Sequence, residues 1–128
     1  MILYHFTSRW HLQHIVLDGF IKTTESNVSP HHAHAGSDVV WLTSDPNPAT
    51  HSGWKEGSAV DKTEVRFTLE LPDTEVRQWQ WWSENYDIDL RWAAALESVG
   101  GHESWYVIER PVTRFEWTKI EKLKRGVK

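Results

Sequence analysis

Hydrophobic and polar positions follow two periods along this chain, and the switches between them mark the elements. Residues 2–6, ILYHF, are a short apolar run with a histidine inside it and predict a strand. The pattern changes at Thr7-Ser8. Leu12, Ile15 and Val16 share one face at helical spacing, which predicts a helix over 8–18 capped by Thr7 or Ser8. Gly19 closes that helix as a left-handed C-cap, and Phe20 and Ile21 follow as a short apolar segment. Residues 22–37, KTTESNVSPHHAHAGS, read as a long polar loop. DVVWLTS at 38–44 predicts a strand, and DPNPATHSGW at 45–54 a turn with a short helix start, broken by its prolines. Residues 55–62 read as a second loop. TEVRFTLELP at 63–72 alternates cleanly, with Val65, Phe67 and Leu69 facing in. Residues 73–101 read as helix, break and helix, with Trp79, Trp82, Trp92 and Leu96 as the buried stripe. SWYVIE at 104–109 and TRFEWTKIEKL at 113–123 predict the last two strands. This order is that of an α+β chain with a mostly antiparallel sheet and a few flanking helices.

Length and composition narrow the picture. The 128 residues suit a single domain spanning 1–128 with a real core. Cysteine is absent, which removes disulfides, thiolate metal sites and a cysteine nucleophile. Lysine and arginine number 14 against 18 aspartates and glutamates, a net charge of −4. That balance argues against general nucleic-acid binding, although the last ten residues carry a basic cluster. No apolar run approaches the ~18 residues a membrane span needs, and the start lacks a signal-peptide layout, so a cytoplasmic location is expected. Nine tryptophans and eight histidines are the unusual feature.

Three constellations can carry chemistry. His31, His32 and His34 with Asp38 offer zinc-type donors, and His51 is a further candidate partner. They lie in a polar loop without helical spacing, so solvated loop histidines are the favoured reading and no metal site is expected. No nucleophile elbow and no glycine-rich phosphate loop is present.

The third constellation joins the opening YHFTS and its helix with VVWLTSDPNPATHSG. Together they resemble the ADP-ribosyltransferase superfamily, in particular its small bacterial and phage branches. That family opens on a strand bearing a histidine or an arginine. A helix of the form L-x-x-I-x-x-x-G-hydrophobic follows, here Leu12, Ile15, Gly19, Phe20 and Ile21. A later strand carries an aromatic residue and then a small one, here Trp41 and Thr43. The resemblance covers residues 2–54 by motif and 63–123 by element order. It implies a split, mostly antiparallel sheet that binds NAD as a substrate in a cleft. It also implies transfer of ADP-ribose to a protein or nucleic-acid acceptor with release of nicotinamide. His5 would bind a ribose hydroxyl, the backbone of Thr7 the carboxamide, and Arg9 the pyrophosphate. Trp41 would stack on the nicotinamide above Thr43. Glu25 and Ser26 are weaker candidates for the adenosine end.

Such enzymes also need a carboxylate on a late strand, often directly before Tyr-Val-Val. Here Trp105 occupies that place in ESWYVIE. Glu103, which shares the strand parity of Trp105, is the first candidate acid, and Glu109 the second. If neither faces His5 and Trp41, the rival reading is a non-catalytic binding or inhibitor module that uses a tryptophan-rich surface. WQWWSENY at 79–86 motivates it, because three tryptophans within four helical residues cannot all face inward.

Overall fold

The computed structural model describes residues 1–23, 39–48, 63–85 and 102–123, together with Ala94 and Glu97. The chain runs β1 (Ile2–Thr7), α1 (Arg9–Asp18), β2 (Phe20–Ile21), β3 (Val40–Thr43), β4 (Val65–Glu70) and β5 (Val76–Gln78). It continues through α2 (Trp79–Asn85), β6 (Trp105–Ile108), β7 (Val112–Thr113) and β8 (Trp117–Lys122). Six strands form one antiparallel sheet in the order β5-β6-β3-β1-β4-β8, and β2 pairs with β7 in a small separate ribbon. The fold is therefore α+β with an antiparallel sheet, as the alternating segments predict. The expected last strand at 113–123 is divided: a 3-10 turn at Arg114–Glu116 separates β7 from β8. Strand β5 falls inside a segment expected to be helical, and only its pairing with β6 makes it a strand.

Successive side chains of a strand alternate between the two faces, so the register assigns each residue to a face. Leu3, His5 and Thr7 of β1 lie opposite Leu69, Phe67 and Val65 of β4. Leu3, Val65, Phe67 and Leu69, with Val40 and Leu42 of β3 and Ile108 of β6, build the larger core. Helix α1 packs on it through Leu12 and Ile15, and the ribbon adds the buried Ile21 and Val112. Val16, expected on that inner face, is exposed, because the stripe that meets the sheet is only two side chains wide. The opposite face of β3 and β6 carries a second core of Val39, Trp79, Trp82, Trp105 and Val107, covered by α2. Trp79 and Trp82 are buried as their stripe predicts, and Trp81 projects outward. Trp92 and Leu96 lie outside the described residues.

Local chemistry fixes both ends of α1. The first helical N–H groups have no partner within a helix. Here the Arg9 N–H donates to Glu64 Oε1 at 3.0 Å, and the His11 N–H donates to Ser8 Oγ at 3.1 Å. Glu64 is buried, and a carboxylate at a helix N-terminus also meets the positive end of the helix dipole. Gly19 ends the helix at φ 80°, and its N–H donates to Ile15 O at 2.9 Å.

An ion-pair staple holds the ribbon and β8 to the β4–β5 turn. Arg110 donates to both oxygens of Glu116, at 2.9 and 2.8 Å, and to Glu75 at 2.7 Å. The Arg110 guanidinium, helped by the Thr113 N–H, holds the Glu116 carboxyl below its usual pKa. A carboxyl whose folded pKa is depressed adds stability above its unfolded pKa, and that stability is lost as pH falls through the folded value.

Three outcomes follow for urea unfolding followed by circular dichroism. Phe67→Ala, which empties a fully buried site beneath His5, should cost about 3–5 kcal/mol. Gly19→Ala should cost about 1 kcal/mol, because it forces a side chain into the left-handed region. Glu116→Gln should cost about 1 kcal/mol at neutral pH and progressively less as pH falls below the ordinary carboxylate range, since wild type then protonates the same group.

Candidate functional site

The two segments that carry the resemblance, β1 and β3, lie side by side in the sheet. Their partners on the outer sides are fully laddered: β1 meets β4 at six positions and β3 meets β6 at four. Toward each other they pair at a single position, Tyr4 with Thr43. Beyond it no further ladder pair forms, and the His5 side chain bonds across instead. Its Nδ1 lies 2.8 Å from the carbonyl oxygen of Trp41. A carbonyl can only accept, so Nδ1 carries a proton and donates it to Trp41 O. The half-buried imidazole also stands edge-on to Phe67, with ring centres 6.4 Å apart.

Trp41 therefore meets His5 through its backbone and not through its ring. The Tyr4–Thr43 pair puts the Trp41 and Thr43 side chains on the face opposite His5. The Trp41 indole packs there against Trp79 and Trp105, with centroid distances of 5.0 and 5.9 Å. Strand parity thus separates the Trp41 and Thr43 side chains from the His5 ring. Thr43 is fully buried and serves as an anchor: its Oγ1 accepts the Asp45 N–H at 3.0 Å and lies 2.9 Å from Ser104 Oγ. The Ser44 N–H donates to Ser104 O at 2.9 Å, so the turn after β3 is tied to the turn before β6. Thr7 is buried at the end of β1, with its Cα opposite Val65.

Neither candidate acid faces His5. Glu103 lies in a 3-10 turn, His102–Ser104, before β6 begins, so the extended-strand parity that recommended it does not apply. Glu109 follows the end of β6, and both carboxylates are exposed. The Arg9 side chain is exposed as well, and it turns toward β8, donating to Leu123 O at 3.4 Å. The structure thus brings His5 to Trp41, and Thr43 to Ser104, while the Glu103, Glu109 and Arg9 side chains are exposed. His31, His32, His34, Asp38, His51, Glu25 and Ser26 lie outside the described residues. Among the described residues, no three metal-binding side chains converge and no helix is long and apolar enough to cross a membrane.

Sequence reasoning missed Glu64 and Ser104. Among the described residues, Glu64 is the carboxylate that the fold buries, at the α1 N-terminus beside the end of β1. Its signal was its place directly before the inward-facing Val65, which reads equally well as a loop residue. Ser104 had no signal beyond its nearness to WYVI, since its role depends on β3 lying beside β6. The rival surface at 79–86 is also reduced: Trp81 is 49% exposed, but Trp10, Leu17 and Phe115 are more exposed and lie elsewhere.

No family model and no curated protein matches the chain. Among solved structures, the X-ray crystal structure of protein CC0527 from Caulobacter crescentus is similar, with a TM-score of 0.57 at 12% sequence identity. The match covers 98% of this chain and 89% of that one, so the two share an overall fold.

Proposed function

We propose that this chain is an ADP-ribosyltransferase-like protein that binds NAD at the seam between β1 and β3. The observation that carries the reading is the seam itself. Two neighbouring strands in the middle of a sheet pair at one position, and a half-buried histidine spans the gap. Full laddering is the ordinary state of central strands, because buried backbone groups need partners. A side chain held there in a fixed orientation is suited to recognition. With Nδ1 donating to Trp41 O, the imidazole would be held in place beside a ribose hydroxyl. The Thr7 backbone at the end of β1 would meet the carboxamide. Trp41 would shape the wall through its carbonyl and its position over Trp105, not by stacking beside His5.

The positions of the glutamates favour binding over transfer. Cleaving the bond from ribose to nicotinamide develops positive charge on the sugar, and a carboxylate aimed at it would stabilise that charge. Glu103 and Glu109 are exposed, so neither is assigned that role. Transfer to a macromolecular acceptor would need a carboxylate from another part of the chain.

Isothermal titration with NAD tests the reading, run on wild type, His5→Ala, Glu103→Gln and Glu109→Gln, each checked for folding by circular dichroism. Wild type should bind, and His5→Ala should weaken binding about tenfold, the loss of one well-placed hydrogen bond in a partly buried site. The two glutamine variants should bind as wild type. Absence of heat from a folded wild-type sample, or unchanged binding by a folded His5→Ala, would remove NAD from the seam.

A further inference from the structure

Strand β8 forms one end of the sheet and pairs with β4 on its inner side. Among the described residues, no strand pairs with its outer side. An open edge of this kind offers unpaired backbone groups to another strand. Its regular part is short. The register with β4 shifts between Thr68 and Leu69, so the strand is irregular near Thr118 and regular from Lys119 to Lys122.

The side chains of that regular part are arranged by sign. Lys119 and Glu121 lie on one face of the sheet with Arg66, while Ile120 lies on the other face opposite Phe67. Arg66 donates to Glu121 Oε1 from Nε at 3.2 Å and from Nη2 at 2.8 Å, which fixes the carboxylate. The second oxygen, Oε2, is directed toward Lys119 Nζ, 3.4 Å away. Lys119 is 64% exposed in its side chain, and Ile120 is exposed to 40%.

We infer that this edge is a contact between two copies of the chain, in which two β8 strands pair antiparallel about a two-fold axis at Ile120 and join two sheets into one. The charge pattern selects both the partner and the register. Centring the pair on Ile120 sets Lys119 against Glu121 of the other copy, twice by symmetry, and sets Ile120 against Ile120. Centring it on Lys119 sets ammonium against ammonium, and centring it on Glu121 sets carboxylate against carboxylate. A slip of one residue sets the charged face of one copy against the apolar face of the other. Within the regular part of the strand, the Ile120 register alone places opposite charges together. The two exposed isoleucines then cover each other beside Phe67. A lysine on an edge usually deters pairing, and here the glutamate two residues on gives it a counter-charge in the second copy. This contact does not depend on what the β1–β3 seam binds.

Sedimentation velocity on the full chain tests the contact, at loadings from about 10 µM to about 1 mM, the range in which a small interface associates. Wild type should move toward a dimer as concentration rises. Lys119→Glu places glutamates opposite each other at both pairs and should weaken self-association tenfold or more. Glu121→Lys should weaken it likewise, although it also removes the Arg66 partner. Mixing the two variants in equal amounts restores opposite charges at both pairs and should recover the dimer. A wild-type sedimentation coefficient that does not rise with concentration would overturn the inference. So would a folded Lys119→Glu chain that associates as wild type, or a mixture that stays monomeric.

Discussion

The backbone ladder between β1 and β3 stops after one pair, and a single imidazole replaces it. That substitution organises the rest of the fold. The His5 N–H on the Trp41 carbonyl holds the two halves of the sheet together where that ladder ends: β1, β4 and β8 on one side, β3, β6 and β5 on the other. A hydrogen bond from a side chain takes the place of ladder rungs there, so the sheet is continuous although its central ladder is short. The ring can stand there because Phe67 on β4 supports it edge-on and the flanking positions are apolar.

Each half is packed differently, for reasons of strand parity. One face of the whole sheet carries aliphatic side chains and receives α1 and the β2–β7 ribbon. On the other face, α2 covers the β3–β6 region, and tryptophans fill it. Large flat rings suit this place, because a seven-residue helix has few side chains with which to cover two strands. The face of β4 and β8 that lies beyond the seam is polar, with Arg66, Lys119 and Glu121 in one network. A network that satisfies its charges within the sheet surface can be exposed at an edge without collapsing onto the core.

The helix that follows β1 is positioned by its first turn. Ser8 and Glu64 take up its leading N–H groups, and Glu64 comes from the residue just before β4, the strand laddered to β1. The strand, the helix start and the neighbouring strand are thus locked by groups that are far apart in sequence. Arg110 does the same for the far end, joining the β4–β5 turn to the segment between β7 and β8.

Period, caps and composition were enough to place β1, α1 with a cap at Thr7 or Ser8 and its Gly19 end, β3, β4 and β6, because each follows from local chemistry: alternation, a capping hydroxyl, a left-handed glycine. The outward Trp81 was legible too, since three adjacent indoles cannot share a helix face. Tertiary structure decided the rest. Val76–Gln78 became a strand by lying beside β6, and Val112–Thr113 became one by meeting Phe20 and Ile21. The candidate site divides the same way. His5 and Trp41 stood out as residue types in the sequence, but only the Tyr4–Thr43 register put the imidazole on one face and the indole on the other. Glu103 shows the converse. Its parity with Trp105 held only on an extended chain, and a 3-10 turn removed it. Strand neighbours are chosen by packing across the whole sheet, and no window of sequence contains that choice.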